Sequence, residues 1–186
     1  TNNGSELNVT HVAGKVGNAF SIAASNSRVS VPDPANLRFN HTTPFSIDAW
    51  TKFATVGGPG QEVALVTKWG LFTGQMGYSL RTVSSTGAFA FMLDQNGGPR
   101  SQAIGTTIPA ADTWYHVTGT FDGTSLRIYV NGVLEGTVAN TSFGSVTTTP
   151  FDIGVPSVFV DSLNMPRIID EVEVFNRALS DTEVTD

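Results

Sequence analysis

The chain has no cysteine, which excludes disulfide scaffolds, thiol catalysis and the common cysteine zinc sites. That lack alone fixes no compartment. Charge is scarce too: Asp, Glu, Lys and Arg make up 14% of the residues, against a usual level of about 25%. With 16 acidic and 10 basic side chains the formal net charge is -6. Such a surface has no counterion-releasing face for phosphates, so nucleic acid is not an expected partner. No apolar run approaches the roughly 18 residues of a membrane span, so no membrane insertion is expected. The start, Thr1-Asn2-Asn3-Gly4-Ser5, lacks a basic stretch followed by an apolar one. It reads as the beginning of an excised domain or a mature form.

Residues 1–186 are enough for one domain with a sizeable core. Its polar surface must be built from Ser, Thr, Asn, Gln and Gly. Strand signals recur between clusters of Gly, Pro, Asn and Ser, the pattern of an all-β fold with two antiparallel sheets, a sandwich or jelly roll. Alternation is clearest at residues 45–53. Phe45, Ile47, Ala49 and Phe53 share one face there, and Ser46, Asp48, Trp50 and Lys52 the other. Further strands are expected at residues 28–31, 63–68, 78–83, 89–93, 115–121, 126–130, 134–138 and 167–175. Asn131-Gly132 is the pair preferred in a two-residue type I′ hairpin, and Phe121-Asp122-Gly123-Thr124 marks another turn. Helix is nearly absent. Residues 1–13 read as an N-terminal segment, Pro32-Asp33-Pro34 opens one loose turn, and Ser180-Asp181-Thr182-Glu183 is a capping box for a short turn at 180–184.

The order of several motifs resembles the laminin G-like jelly rolls of the concanavalin A-like lectin/glucanase superfamily, in a form common in bacterial secreted proteins. The residues that carry it are Gly14-Lys15-Val16-Gly17-Asn18-Ala19-Phe20, Pro44-Phe45-Ser46-Ile47-Asp48-Ala49-Trp50, Lys68-Trp69-Gly70 and Gly77-Tyr78-Ser79-Leu80-Arg81. The block from Thr113-Trp114-Tyr115-His116-Val117 to Asn131-Gly132 follows, then Ile169-Asp170-Glu171-Val172. The resemblance implies a non-catalytic, extracellular or cell-surface module that binds a glycan or polysaccharide, as one part of a larger protein. The alternatives are a protein-binding or adhesion module and a structural accessory domain of a glycoside hydrolase.

Catalysis is not expected. Glycoside hydrolysis needs two carboxylates across the scissile bond. Glucanases that resemble this chain place Glu, Asp and Glu at alternate positions of one strand. Only Glu171-Val172-Glu173 comes near that pattern, with Ile169 and Phe175 on the same predicted face. A Gly-x-Ser-x-Gly elbow and a His-Glu-x-x-His motif are both missing.

Regular alternation along 167–175 groups Asp170 with Ile168, Val172 and Val174. A carboxylate on an aliphatic face needs hydrogen bonds, an ion pair or a metal. The resemblance implies a structural calcium at the matching aspartate, with an N-terminal loop supplying further oxygens. The candidate ligands are Asp170, Asn26 and Ser27. This loop departs from the family pattern in having Ala23, Asn26 and Ser27 at its acidic positions and Arg28 after them. An Asp170–Arg28 pair, or backbone amides on Asp170, are the alternatives.

A sugar site needs a flat ring for the apolar sugar face and planar polar groups for the hydroxyls. On the polar faces of the predicted strands the candidates are Asp48, Trp50, Arg81, Asp94, His116, Arg127 and Tyr129. They converge only if their strands are neighbours in one sheet; otherwise Trp50, Trp69 and Trp114 are packing residues and the charges cross-strand pairs. Loops at one edge are a second location, with Phe72 and Phe159 as aromatics either tucked in or presented to a partner and Asp161 and Asn164 in the same loop as Phe159. Sequons at Asn3, Asn8, Asn40 and Asn140 matter only where the source glycosylates exported proteins.

Overall fold

Segments of alternating hydrophobicity, punctuated by turn residues, fold into two antiparallel sheets stacked face to face. The computed structural model describes residues 2–70, 72–141, 144–157 and 165–185. In chain order the first strands are β1 (Ser5–Leu7), β2 (Val9–Ala13), β3 (Asn18–Ile22), β4 (Arg28–Val31) and β5 (Phe45–Phe53). Next come β6 (Ala64–Lys68), β7 (Gln75–Thr82), β8 (Phe89–Gln95), β9 (Arg100–Ile104) and β10 (Trp114–Phe121). The last are β11 (Ser125–Val130), β12 (Val133–Ala139), β13 (Ser145–Val146), β14 (Phe151–Gly154) and β15 (Arg167–Phe175), before a short helix α1 (Asp181–Thr185). One sheet runs β1-β4-β14-β6-β7-β8-β9, with β13 pairing β7 in parallel as its eighth strand. The other, of seven strands, runs β12-β11-β10-β5-β15-β3-β2.

The expected alternation of β5 holds. Phe45, Ile47, Ala49 and Phe53 are fully buried between the sheets. Phe45 sits at the centre, stacked on Phe39 at 4.4 Å, tilted against Tyr78 at 5.0 Å and edge-on to Phe91 at 5.7 Å and Phe121 at 6.0 Å. Each such buried ring contributes about 2–3 kcal/mol over an exposed one. The Tyr78 hydroxyl donates to the Leu37 carbonyl at 2.8 Å, so its burial leaves no orphan donor. Gly119 faces Phe91 so closely that a Cβ there would lie 2.3 Å from the ring.

Asn131 and Gly132 have φ of 50° and 78° between the paired residues Val130 and Val133, as a type I′ turn requires. The capping box closes as the sequence indicates: Ser180 N–H donates to Glu183 Oε2 at 2.9 Å, and Glu183 N–H to Ser180 Oγ at 3.4 Å. The N-terminal segment holds the edge strands β1 and β2. They are short, half-exposed and polar, so alternation alone does not reveal them. β9, which begins inside a stretch read as loop, has the same character.

One expectation fails in β15. Asp170 pairs with Trp50 and Glu173 with Asp48, so one extra residue on β15 forms a β-bulge, with Glu171 at φ 45°. The bulge breaks the assumed alternation. Ile168, Asp170, Glu173 and Phe175 pair with outward residues of β5, while Val172 and Val174 pack on the core. Asp170 therefore does not share a face with Val172 and Val174.

Candidate functional site

β5 lies at the centre of the seven-stranded sheet, and its outward side chains are flanked by those of β10 and β15. Trp50 pairs with His116 on one side and Asp170 on the other, and Asp48 pairs with Thr118 and Glu173. Asp48, Trp50 and His116 form the floor of a groove of about 860 Å³, with Glu173 at its rim. Lys15 and Val16 wall it at one end, and Phe175 to Thr185 at the other. Trp114, the Asn131–Gly132 hairpin tip and Glu171 complete the rim.

The Trp50 ring is held from both sides. His116 stacks on it with centroids 5.1 Å apart and planes 30° apart. From the β15 side the Lys15 ammonium lies 4.3 Å from the ring centroid. Lys15 is brought there by Asp170, 155 residues away in sequence. Asp170 Oδ2 accepts the amides of Lys15 at 2.7 Å and Val16 at 3.0 Å, and its Oδ1 accepts the Glu171 amide at 3.0 Å. Gly14 permits that approach, since a Cβ on it would fall 2.3 Å from Asp170 Oδ2. Across the groove the hairpin fixes His116: its amide donates to Asn131 Oδ1 at 2.9 Å, and its carbonyl accepts the Asn131 amide at 2.8 Å. Lys52 lies over Trp114 at 5.3 Å.

Asp48 is 7% exposed. Burial, reinforced by the charge of Glu173 and opposed by a backbone hydrogen bond from Glu173, pushes its carboxyl up to about 7. Burial holds the His116 imidazole below its ordinary value, with Glu173 opposing. Asp48 Oδ2 and His116 Nε2 stand 3.8 Å apart, too far for a hydrogen bond. With both shifts favouring the neutral forms, the two are not an ion pair at neutral pH. The groove thus offers aromatic faces, a neutral imidazole, a buried carboxyl and two glutamates at the rim.

The seven predicted ligand residues do not all meet. Asp48, Trp50 and His116 line the groove. Arg127 and Tyr129 share that sheet face but are engaged elsewhere. Arg127 Nη1 donates to Asp122 Oδ2 at 2.7 Å. Burial would raise the Asp122 carboxyl, but hydrogen bonds from Thr124, Ser125 and Arg127 hold it well below the usual range. Tyr129 is buried beneath Phe175, Leu179 and Val184, and its hydroxyl donates to Asp181 at 2.6 Å. Burial and that carboxylate push its phenol up to about 12. Arg81 and Asp94 belong to β7 and β8, on the outer face of the other sheet. There Arg81 is paired with Glu62, and Asp94 accepts from Arg100 at 2.6 Å. Alternation gave the right side of each strand but not its sheet. Groove residues not predicted from sequence as ligands include Lys15, Trp114, Glu173, Phe175 and Arg177, of which only the tryptophan stands out by type.

The donor set proposed for calcium does not fit. Asp170 aligns with the β2–β3 turn, whereas Asn26 and Ser27 follow the far end of β3, beyond the Ile22–Arg167 pair. The Asn26 side-chain oxygen accepts from Asn8 at 2.9 Å, and Ser27 Oγ donates to the Asn8 carbonyl at 2.6 Å. Backbone amides satisfy Asp170, and Arg28 turns instead to the Asn26 carbonyl at 3.3 Å. Among the described residues no three His, Asp or Glu side chains form a metal-holding group. Phe72 is exposed, while Phe159, Asp161 and Asn164 lie outside the described residues. No described helix is long and apolar enough to cross a membrane.

Solved structures share this architecture. The binding domain of Paraclostridial Mosquitocidal Protein 1 superposes with TM-score 0.77 at 19% identity, over 97% of this chain and 45% of that one. A botulinum neurotoxin type C structure, described as dependent on two ganglioside molecules for cell entry, gives 0.76 at 18% identity, over 99% and 46%. Domain 4 of AbnA, an extracellular GH43 arabinanase from Geobacillus stearothermophilus solved with arabinotriose, gives 0.73 at 20% identity, over 97% and 81%. The chain thus spans less than half of the two toxin chains. No curated protein matches it. The profile described as concanavalin A-like lectin/glucanases superfamily, a laminin G-like profile, matches residues 23–185. With the two-sheet jelly roll, this match makes the chain a member of the concanavalin A-like lectin/glucanase superfamily.

Proposed function

We propose that the protein is a non-catalytic carbohydrate-binding module of a larger secreted or surface protein, with its site in the groove over Trp50. The observation that carries this is the coincidence of tryptophan rings with carboxylates and a neutral imidazole in one open groove. Sugars need that combination: a ring against the C–H face and planar acceptors for the hydroxyls. The arabinanase domain supports the reading most directly, because it was solved with a trisaccharide and the match covers 81% of it. The toxin structures support a binding role more generally, since the matched part is under half of each.

Calorimetric titration with neutral oligosaccharides, arabinotriose among them, tests the proposal. Trp50→Ala is expected to weaken binding about thirtyfold, the loss typical of a central anchor. Trp69→Ala, on the other sheet, is expected to leave it unchanged. Circular dichroism checks that both variants fold. Wild-type affinity in Trp50→Ala and Trp114→Ala alike sinks the assignment. Release of shorter sugars overturns its non-catalytic part, with Asp48 as the acid to examine.

A further inference from the structure

Charges in the groove are unevenly matched. Arg177 is committed to Glu183 through two contacts of 2.8 Å. Glu171 and Glu173 are exposed and form no ion pair among the described residues. The ring face that a sugar needs on Trp50 is already covered by an ammonium, that of Lys15, on an exposed side chain. A neutral sugar must displace that cation and put nothing equivalent in its place. An acidic sugar gains Lys15 but meets Glu171, Glu173 and a chain of net charge -6.

We infer that the groove selects glycans bearing protonated amino groups, which replace the Lys15 ammonium over Trp50 and meet Glu171 and Glu173 at the rim. The inference rests on the sugar-binding reading and names its ligand class. Displacement of Lys15 leaves the fold intact, because Asp170 holds that residue by its backbone amide and not by its side chain. Glu173 also pairs with Asp48 across the strands, so a second carboxyl group lies beside it in the groove. A basic peptide presents the same charge but lacks the ring-stacking faces of a sugar.

The test compares a glucosamine tetramer with an N-acetylglucosamine tetramer of the same linkage, at about pH 6, where amines carry protons. The amine form is expected to bind about three- to tenfold more tightly, the effect of a few solvent-exposed charge contacts. That preference is expected to shrink with added salt. The Glu171→Gln/Glu173→Gln variant is expected to lose the preference while still binding the N-acetylated form. Lys15→Ala is expected to tighten the N-acetylated form selectively.

Equal affinity for the two tetramers, or a preference that survives the double variant, overturns the amino-glycan inference and leaves the sugar site standing. Tighter binding of a sialyl oligosaccharide also overturns it. Binding of neither tetramer nor any neutral sugar, with capture of an oligolysine peptide, overturns both readings in favour of a protein partner.

Discussion

On the eight-stranded sheet Arg81 and Arg100 lie over Trp69 at 6.0 and 5.7 Å, and each is also closed onto a carboxylate, Glu62 or Asp94. On the seven-stranded sheet Trp50 likewise has a cation on one face, yet among the described residues Lys15 has no carboxylate partner and the two rim glutamates have no cation. The residue types are alike, and the pairing is different. Closed pairs spend their hydrogen-bonding capacity within the protein and fix a surface. Open ones beside a groove keep that capacity for something else. Tryptophan, arginine and aspartate in outward register are therefore poor markers of a site until their partners are known.

This contrast can be broken experimentally. The largest expected effect concerns Asp48. Its carboxyl stands at about 7 in the folded protein against 3.8 as a free group. Between those values the folded state binds more protons, so stability falls as pH rises. The contribution is fully present below about pH 4 and lost by about pH 7, a change of roughly 4 kcal/mol. His116 has the opposite sign: held below 6.5, it costs stability as pH falls. It is common to both proteins and cancels in the difference. Melting curves of wild type and Asp48→Asn from acid to mildly alkaline pH are expected to diverge, with the variant gaining at the alkaline end. Parallel curves would falsify the assignment of a raised carboxyl to the groove floor.

Next in size is Asp170→Ala, which removes three amide contacts to one buried carboxylate. The expected cost is about 2–3 kcal/mol, a fall in Tm of roughly 5–10 °C for a chain of this length. It also frees Lys15 from Trp50, so acrylamide should quench tryptophan fluorescence more strongly. An unchanged quenching constant would mean that Asp170 does not position Lys15. The smallest effect is expected from Arg100→Gln on the other sheet, below about 1 kcal/mol and without change in glycan affinity. A loss of binding there would move the site to the eight-stranded face.

Much of the scaffold was legible from local pattern. β5, β4 and the bounds of β15 follow from alternation, the Asn131–Gly132 turn from its two left-handed residues, and the C-terminal cap from Ser180 and Glu183. The site was less legible because its residues are joined by pairings that no local window contains. Lys15 reaches Trp50 only through Asp170 at the other end of the chain. Arg81 and Trp50 occupy equivalent registers on strands of different sheets. Tyr129 reads as an outward residue, and it is one, but the C-terminal segment lies on it. Alternation also assumes one residue per step, and the bulge at Glu171 adds one.

Glu171 itself has a further meaning. Asp170 and Glu173 stand three residues apart and both pair with outward residues of β5, which the extra residue of the bulge makes possible. The Glu171 backbone is left-handed, at φ 45°, a conformation that costs a glutamate roughly 1 kcal/mol and glycine almost nothing. Glu171→Gly is accordingly expected to be the sturdier protein. The strained residue sets a carboxylate beside the groove, where glycine would set none. Its measured excess stability on changing to glycine gauges how much robustness the fold forgoes to hold a carboxylate at the lip of the groove.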